Sequence, residues 1–139
     1  MFDILGLRKQ TNKTKILIVD DEPNIVQTLK DRLEANDYEV LTASNGSEGL
    51  QMALDERPDV VLLDIIMPVM DGHEMLEALR KDSGGQYISV IMLTAKNQIE
   101  DVERANASGI DDYIVKPFDM SDLLEKIELI VENNKSLAE

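Results

Sequence analysis

The chain has 139 residues, no cysteine, one histidine and 28 acidic against 14 basic side chains, for a formal net charge of −14. That length suits one domain, able to bury about two thirds of its unfolded surface. The absence of cysteine excludes disulfides, thiolate catalysis and Cys-ligated zinc, and the single His73 excludes a histidine-cluster metal site; the acidic excess argues against a nucleic-acid partner, which is held by Lys and Arg on phosphates.

Residues 1–14 show no clear period and read as an N-terminal arm. Its start, Met1 to Leu7, is apolar, but the basic residues Arg8, Lys9, Lys13 and Lys15 follow that stretch rather than precede it, so it does not read as a signal peptide. Phe2, Ile4, Leu5 and Leu7 could dock weakly on a partner or membrane surface. No run approaches the roughly 20 apolar residues of a membrane span. A cytoplasmic location without membrane attachment is therefore expected.

Ile16-Leu17-Ile18-Val19 reads as a first strand that runs into Asp20-Asp21-Glu22, and Pro23 suits the first position of a helix carrying Val26, Leu29 and Leu33 at helical spacing. Asn36-Asp37 ends that helix. Tyr38 to Ala43 is a more polar strand, as an edge strand can be. Asn45, with Glu48 three residues on, signals a helix start; Leu50, Ala53 and Leu54 form its inward stripe, and Arg57-Pro58-Asp59 breaks it. Val60 to Leu63 is the most apolar strand and ends on Asp64. After the turn Val69-Met70-Asp71-Gly72, the spacing of Asp71 and Glu74 repeats the capping signal ahead of Met75, Leu76 and Leu79. His73 in that helix reads as a surface residue, and Met67, Met70 and Met75 as core filler.

Ser83-Gly84-Gly85 leads to a fourth strand, Ile88 to Leu93, ending in Thr94. A weakly apolar helix follows, with Ile99, Val102 and Ala105, and Gly109 stops it. Tyr113-Ile114-Val115 is the fifth strand and ends in Lys116-Pro117. Ser121 can cap a last helix with Leu123, Leu124, Ile127, Ile130 and Val131 inward, and 134–139 reads as a polar tail. The alternation βαβαβαβαβα implies an α/β class with a doubly wound parallel sheet and helices on both faces.

In such a sheet all strand carboxyl ends lie along one edge, where ligands bind. Asp20, Asp21, Asp64, Thr94 and Lys116 therefore converge on one crevice. Three carboxylates held together favour a hard cation; Mg²⁺ prefers oxygen ligands and is often completed by a phosphate. Lys116 supplies a point charge for phosphate oxygens, Thr94 a hydroxyl donor, and an Asp can accept a phosphoryl group as an acyl phosphate.

Four stretches, Ile16 to Glu22, Leu63 to Gly72, Thr94-Ala95 and Asp112 to Phe118, together resemble the receiver domain of two-component response regulators, over about residues 15–133. The resemblance implies a flavodoxin-like fold, a five-stranded parallel sheet of order 2-1-3-4-5 with five helices. It implies that Asp64 is the phosphoacceptor, charged by a sensor histidine kinase or a histidine phosphotransfer protein. Asp21, Asp64 and the backbone carbonyl of Ile66 would hold Mg²⁺, with Asp20 acting through water. Lys116 would pair with the phosphoryl oxygens, Thr94 and Tyr113 would be the switch pair, and Lys116-Pro117 would be cis. Tyr113 is expected to be partly core with or without that role. The surface of the fourth helix, fifth strand and fifth helix would signal to a downstream target protein, as a monomer or a phosphorylation-dependent dimer. Ile66 and Lys96 would flank the phosphoryl group, and an aliphatic Ile66 implies slow autodephosphorylation; no other enzymatic activity is expected.

Rival readings use the same parts less well. A haloacid-dehalogenase-type phosphatase needs a second acid two residues after its nucleophile, where this chain has Ile66. A flavin mononucleotide carrier needs a phosphate loop after the first strand, where Asp20-Asp21-Glu22 would repel it. A receiver-like module that is never phosphorylated would not need all five site residues. The chain continues only briefly past its last helix, and its extra N-terminal arm favours a stand-alone receiver over a piece of a longer regulator.

Overall fold

The computed structural model describes residues 13–95 and 99–138. The elements alternate as expected: β1 (Lys15–Val19), α1 (Pro23–Ala35), β2 (Glu39–Ala43), α2 (Gly46–Glu56), β3 (Val60–Asp64), α3 (Gly72–Lys81), β4 (Ser89–Ala95), α4 (Ile99–Ser108), β5 (Asp112–Lys116) and α5 (Met120–Ala138). The five strands form one parallel sheet of order β2-β1-β3-β4-β5. This is the flavodoxin-like arrangement, with β2 and β5 at the edges.

Period-2 alternation divides the sheet between two cores. Ile16 and Ile18 of β1, with Val60 and Leu62 of β3, pack against Leu29 and Leu33 of α1 and Leu123 and Ile127 of α5. Leu17, Val19, Val61 and Leu63 face the other way, onto Ala53 of α2, Met75, Leu76 and Leu79 of α3 and Ala105 of α4. All five residues of β3 are buried, which is why its sequence is a continuous apolar run and not an alternating one.

Helix ends follow local chemistry. Asn45 accepts from the Glu48 amide, and Asp71 and Glu74 form a reciprocal capping box at the start of α3. Gly109, at φ +96°, ends α4 in a conformation that glycine adopts without strain.

Three expectations are corrected. His73 is not on the surface: it is 3% exposed, at the seam between α3 and α4. Ser121 does not cap α5; the helix begins at Met120, and the Asp119 carbonyl accepts from the amides of Asp122 and Leu123. The stretch 134–139 is not a loose tail as far as Ala138, because nothing in Asn134 to Ala138 breaks a helix and the Asn134 amide donates to Ser89 Oγ at 3.0 Å. Of the arm, residues 1–12 lie outside the described residues; Thr14 accepts from the Glu39 amide at 2.9 Å and so belongs to the margin of the sheet. Among the described residues no helix is long and apolar enough to cross a membrane.

Candidate active site at the carboxyl edge of the sheet

The strand register assembles the site. Val19 pairs with Leu63, so Asp20, one step past β1, comes abreast of Asp64 at the end of β3. Asp64 pairs with Leu93, which puts Thr94 just beyond it, and Ala95 pairs with Lys116 across the β4–β5 ladder. The main chain is held on both sides of the crevice. The Asp20 amide donates to the Ala43 carbonyl at 3.1 Å, and Asp20 Oδ1 accepts from the Glu22 amide at 3.0 Å, turning the chain into α1.

Asp20, Asp21 and Asp64 each offer a carboxylate oxygen, all within 4.8 Å of one another. Asp20 and Asp64 are buried and Asp21 is exposed, so the cluster opens to solvent on one side. Lys116 Nζ donates to Asp20 Oδ2 at 2.8 Å and lies 3.5 Å from Asp64 Oδ1 and 3.9 Å from Glu22 Oε1. Thr94 is buried, and its hydroxyl donates to the Ala95 carbonyl at 3.3 Å. Asp20, Asp21, Asp64 and Lys116 thus meet in one crevice, and the register sets Thr94 one step past the partner of Asp64 on the same edge. Tyr113 stands apart on β5, 42% exposed, with its outer part in solvent rather than in the core. Lys96 lies outside the described residues.

The charges do not balance. One ammonium serves three carboxylates, and Asp64 bears the result: burial, and then the charge of Asp20, push its carboxyl up to about 6, against the pull of Lys116, with Asp21 adding to the rise. Burial works against the charge of Lys116, but the hydrogen bond to Asp20 and the charges of Asp64, Asp20 and Glu22 outweigh it and raise its pKa, so it remains an ammonium. An all-oxygen, electron-rich cluster short of positive charge fits a hard divalent cation better than any soft metal.

The loop from β3 to α3 shapes the rim. Gly72 donates its amide to the Ile65 carbonyl at 2.7 Å, and a Cβ there would stand 2.3 Å from the Asp64 carbonyl oxygen, so only glycine lets α3 begin this close to the strand. Met70 donates to the Pro68 carbonyl at 2.8 Å, closing a γ-turn on Val69, whose φ is +70°. A β-branched residue in that region is strained. Ile66 and Val69, on the loop that follows Asp64, are 65% and 81% exposed, and Val69 lines a groove with Asn45, Glu48 and Met52 at α2. Across the crevice the Lys116-Pro117 peptide is cis, and Ile25, Phe118 and Met120 line an open groove beside Lys116.

Sequence reasoning missed the α3–α4 contact of His73 with Asp101 (3.0 Å) and the bonds of Arg80. The signal was present: His73 lies three residues before Leu76, on the helical face that also carries Leu79 and Arg80.

The family model described as response regulator receiver domain matches residues 16–128. A probable transcriptional regulator, ycf27, of Guillardia theta is 42% identical over 126 residues, which is 91% of this chain and 48% of that protein. The chain spans about half the length of the curated relatives it matches. Among solved structures, a CheY-like response regulator receiver domain protein of Methanospirillum hungatei superposes with a TM-score of 0.82 at 38% identity, covering 90% of this chain and 99% of that one. The receiver domain of the sensor histidine kinase PA1611 of Pseudomonas aeruginosa, solved with a magnesium ion coordinated in its active-site cleft, superposes with a TM-score of 0.80 at 28% identity, over 86% and 98% of the two chains. Fold, site and sequence agree: the chain belongs to the receiver domain family of two-component response regulators, a signalling family rather than one of classical enzymes.

Proposed function

We propose that residues 15–133 act as a phosphoacceptor domain in which Asp64 is charged by the phosphohistidine of a sensor histidine kinase or a histidine phosphotransfer protein. A carboxylate oxygen of Asp64 forms a bond to phosphorus as the phosphorus–nitrogen bond breaks. The electron pair returns to the donor imidazole, which takes up a proton, and an aspartyl phosphate remains. Asp21, Asp64 and the backbone carbonyl of Ile66 would hold Mg²⁺, with Asp20 reaching it through water. The ion supplies the positive charge that lets an anionic nucleophile approach an anionic phosphoryl group.

The observation that carries this reading is the meeting of Asp20, Asp21 and Asp64 within 4.8 Å, with Lys116 Nζ 3.5 Å from Asp64. Lys116 exchanges part of its contact with Asp20 for the new phosphoryl oxygens. Thr94 turns its hydroxyl toward them, and Tyr113 moves inward. These contacts exist only in the phosphorylated state, and only such a difference can shift a conformational equilibrium. The α4–β5–α5 surface then presents a changed face to a downstream target protein, as a monomer or a phosphorylation-dependent dimer, in the cytoplasm. The exposed Ile66, two residues past Asp64, supports a protein as donor, since an apolar residue close to a polar site suits a protein contact.

Intact-mass spectrometry after incubation with acetyl phosphate and Mg²⁺ tests the reading. One phosphoryl adduct is expected, absent with EDTA and absent in Asp64→Ala. An adduct that survives in Asp64→Ala would overturn the assignment. The exposed aliphatic Ile66 hinders the hydrolytic water, so Ile66→Asn shortens the phosphoryl lifetime; an unchanged lifetime refutes that role.

A further inference from the structure

α3 and α4 are joined by a ladder of polar contacts. On α3, His73, Glu77 and Arg80 follow one another at intervals of four and three residues, and so share one face. On α4, Asp101 and Arg104 are three apart, and Gly109 follows the helix end. His73 Nε2 is 3.0 Å from Asp101 Oδ1, where the carboxylate accepts from the ring. Arg104 donates twice to Glu77 Oε1, at 2.7 and 3.0 Å. Arg80 donates twice to the Gly109 carbonyl, at 2.7 and 2.9 Å, and also to the carbonyls of Gly85 and Gln86.

Among the described residues, little apolar burial holds α4 down. Ala105 is its one buried side chain among the described residues, and Val102 is half-buried. The three rungs also differ in strength. Arg80 reaches the end of α4 remote from the acidic crevice with two bonds to the Gly109 carbonyl, and two further bonds to the Gly85 and Gln86 carbonyls of the α3–β4 connection hold its guanidinium in place. The other two are single side-chain pairs, one of them between exposed groups. Such pairs are weak enough to break during switching, whereas the multiply bonded Arg80 is not.

We propose that the His73–Asp101 and Glu77–Arg104 rungs are the latch that holds α4 in its resting position, and that α4 switches by releasing them while Arg80 keeps its C-terminal end in place. The proposal deepens the phosphoacceptor reading, on which it rests for the signal that opens the latch. Each rung stabilises the resting state only. Removing them therefore brings the switched state closer in free energy and makes any ligand that selects it bind more tightly.

The test uses the full chain and the double variant Asp101→Ala/Glu77→Gln, with Glu103→Ala, an exposed α4 carboxylate outside the ladder, as control. Hydrogen exchange across α4 is expected to quicken about three- to tenfold in the double variant, as the loss of two such pairs implies, with α3 unchanged. Beryllofluoride with Mg²⁺, the probe for the phosphorylated state, is expected to bind about three- to tenfold more tightly to the double variant than to the native chain. His73 is the only histidine, so its ring resonances report the first rung without ambiguity, and they shift on beryllofluoride binding in the native chain. Unchanged exchange in α4, equal quickening in α3 and α4, or beryllofluoride binding that is no tighter would each overturn the latch. Failure of the phosphoacceptor reading looks different: the native chain then takes up no phosphoryl group and binds no beryllofluoride, while the exchange comparison still decides whether the rungs hold α4.

Discussion

α3 and α4 are both ten residues long and lie side by side on the same face of the sheet, yet they are built on opposite principles. α3 buries Gly72, His73, Met75, Leu76 and Leu79 and starts with a complete capping box pressed against the backbone of Asp64. Among the described residues α4 buries only Ala105, with Val102 half-buried, and polar contacts fasten it to α3. Burial of apolar surface is non-directional and has no near-equal alternative, so α3 is fixed. Hydrogen bonds and ion pairs can be exchanged for water at a net cost of about 1 kcal/mol each, so the polar fastening of α4 is weaker than the packing of α3. The firmly packed helix abuts Asp64, and the lightly held one is the element that the proposed latch would let move.

The sharpest way to break this comparison is to cut both helices alike. Leu76→Ala is expected to cost roughly 2–5 kcal/mol, the range for a large aliphatic side chain removed from a packed core. Val102→Ala, half-buried on α4, should cost less than about 1 kcal/mol. Equal losses in urea denaturation would show that α4 is as deeply integrated as α3.

The second prediction concerns the site that α3 abuts. In the metal-free protein the Asp64 carboxyl is raised from 3.8 to about 6, so folding disfavours its ionised form. The native state then binds more protons than the unfolded state between those values. Stability falls as pH rises through that window, by about 3 kcal/mol if Asp64 acts alone. Asp64→Asn removes the charge. Measured in EDTA, it should stabilise the domain by up to about 3 kcal/mol above pH 6 and have little effect below pH 4. A gain that persists at low pH would point to packing instead of charge.

The smallest effect lies in the loop that carries the chain from Asp64 into α3. Val69→Gly relieves a left-handed conformation that a β-branched residue resists, at the expense of a more mobile unfolded chain. A net gain of about 0.5–1 kcal/mol in thermal denaturation is expected. A loss would mean that the exposed Val69 side chain makes a contact that outweighs its strain.

Most of the architecture was legible in the residues. The element order, the polar edge strand β2, the buried β3 and the caps at Asn45 and Asp71 follow from short-range pattern, because local chemistry decides them. The convergence of Asp20, Asp21, Asp64, Thr94 and Lys116 was legible for a different reason: in a parallel sheet every strand ends on the same edge, so naming the strand ends names the crevice. Two of the errors share one cause, a contact with a distant part of the chain. His73 looked like a surface residue because histidine often is one, and only the approach of α4 buries it. The extension of α5 past Asn133 depends in part on Ser89, 45 residues away from Asn134 in the chain.

The sequence by itself thus determined the fold class, the starts of α1, α2 and α3 and the chemistry gathered at the carboxyl edge, since period, capping and strand alternation act over a few residues. The tertiary structure alone decided which polar groups meet across helices: Asp101 against His73, Arg104 against Glu77, Arg80 against Gly109. Those contacts join residues 27 to 29 positions apart whose pairing depends on how two helices lie against a common sheet, and no local pattern encodes that placement.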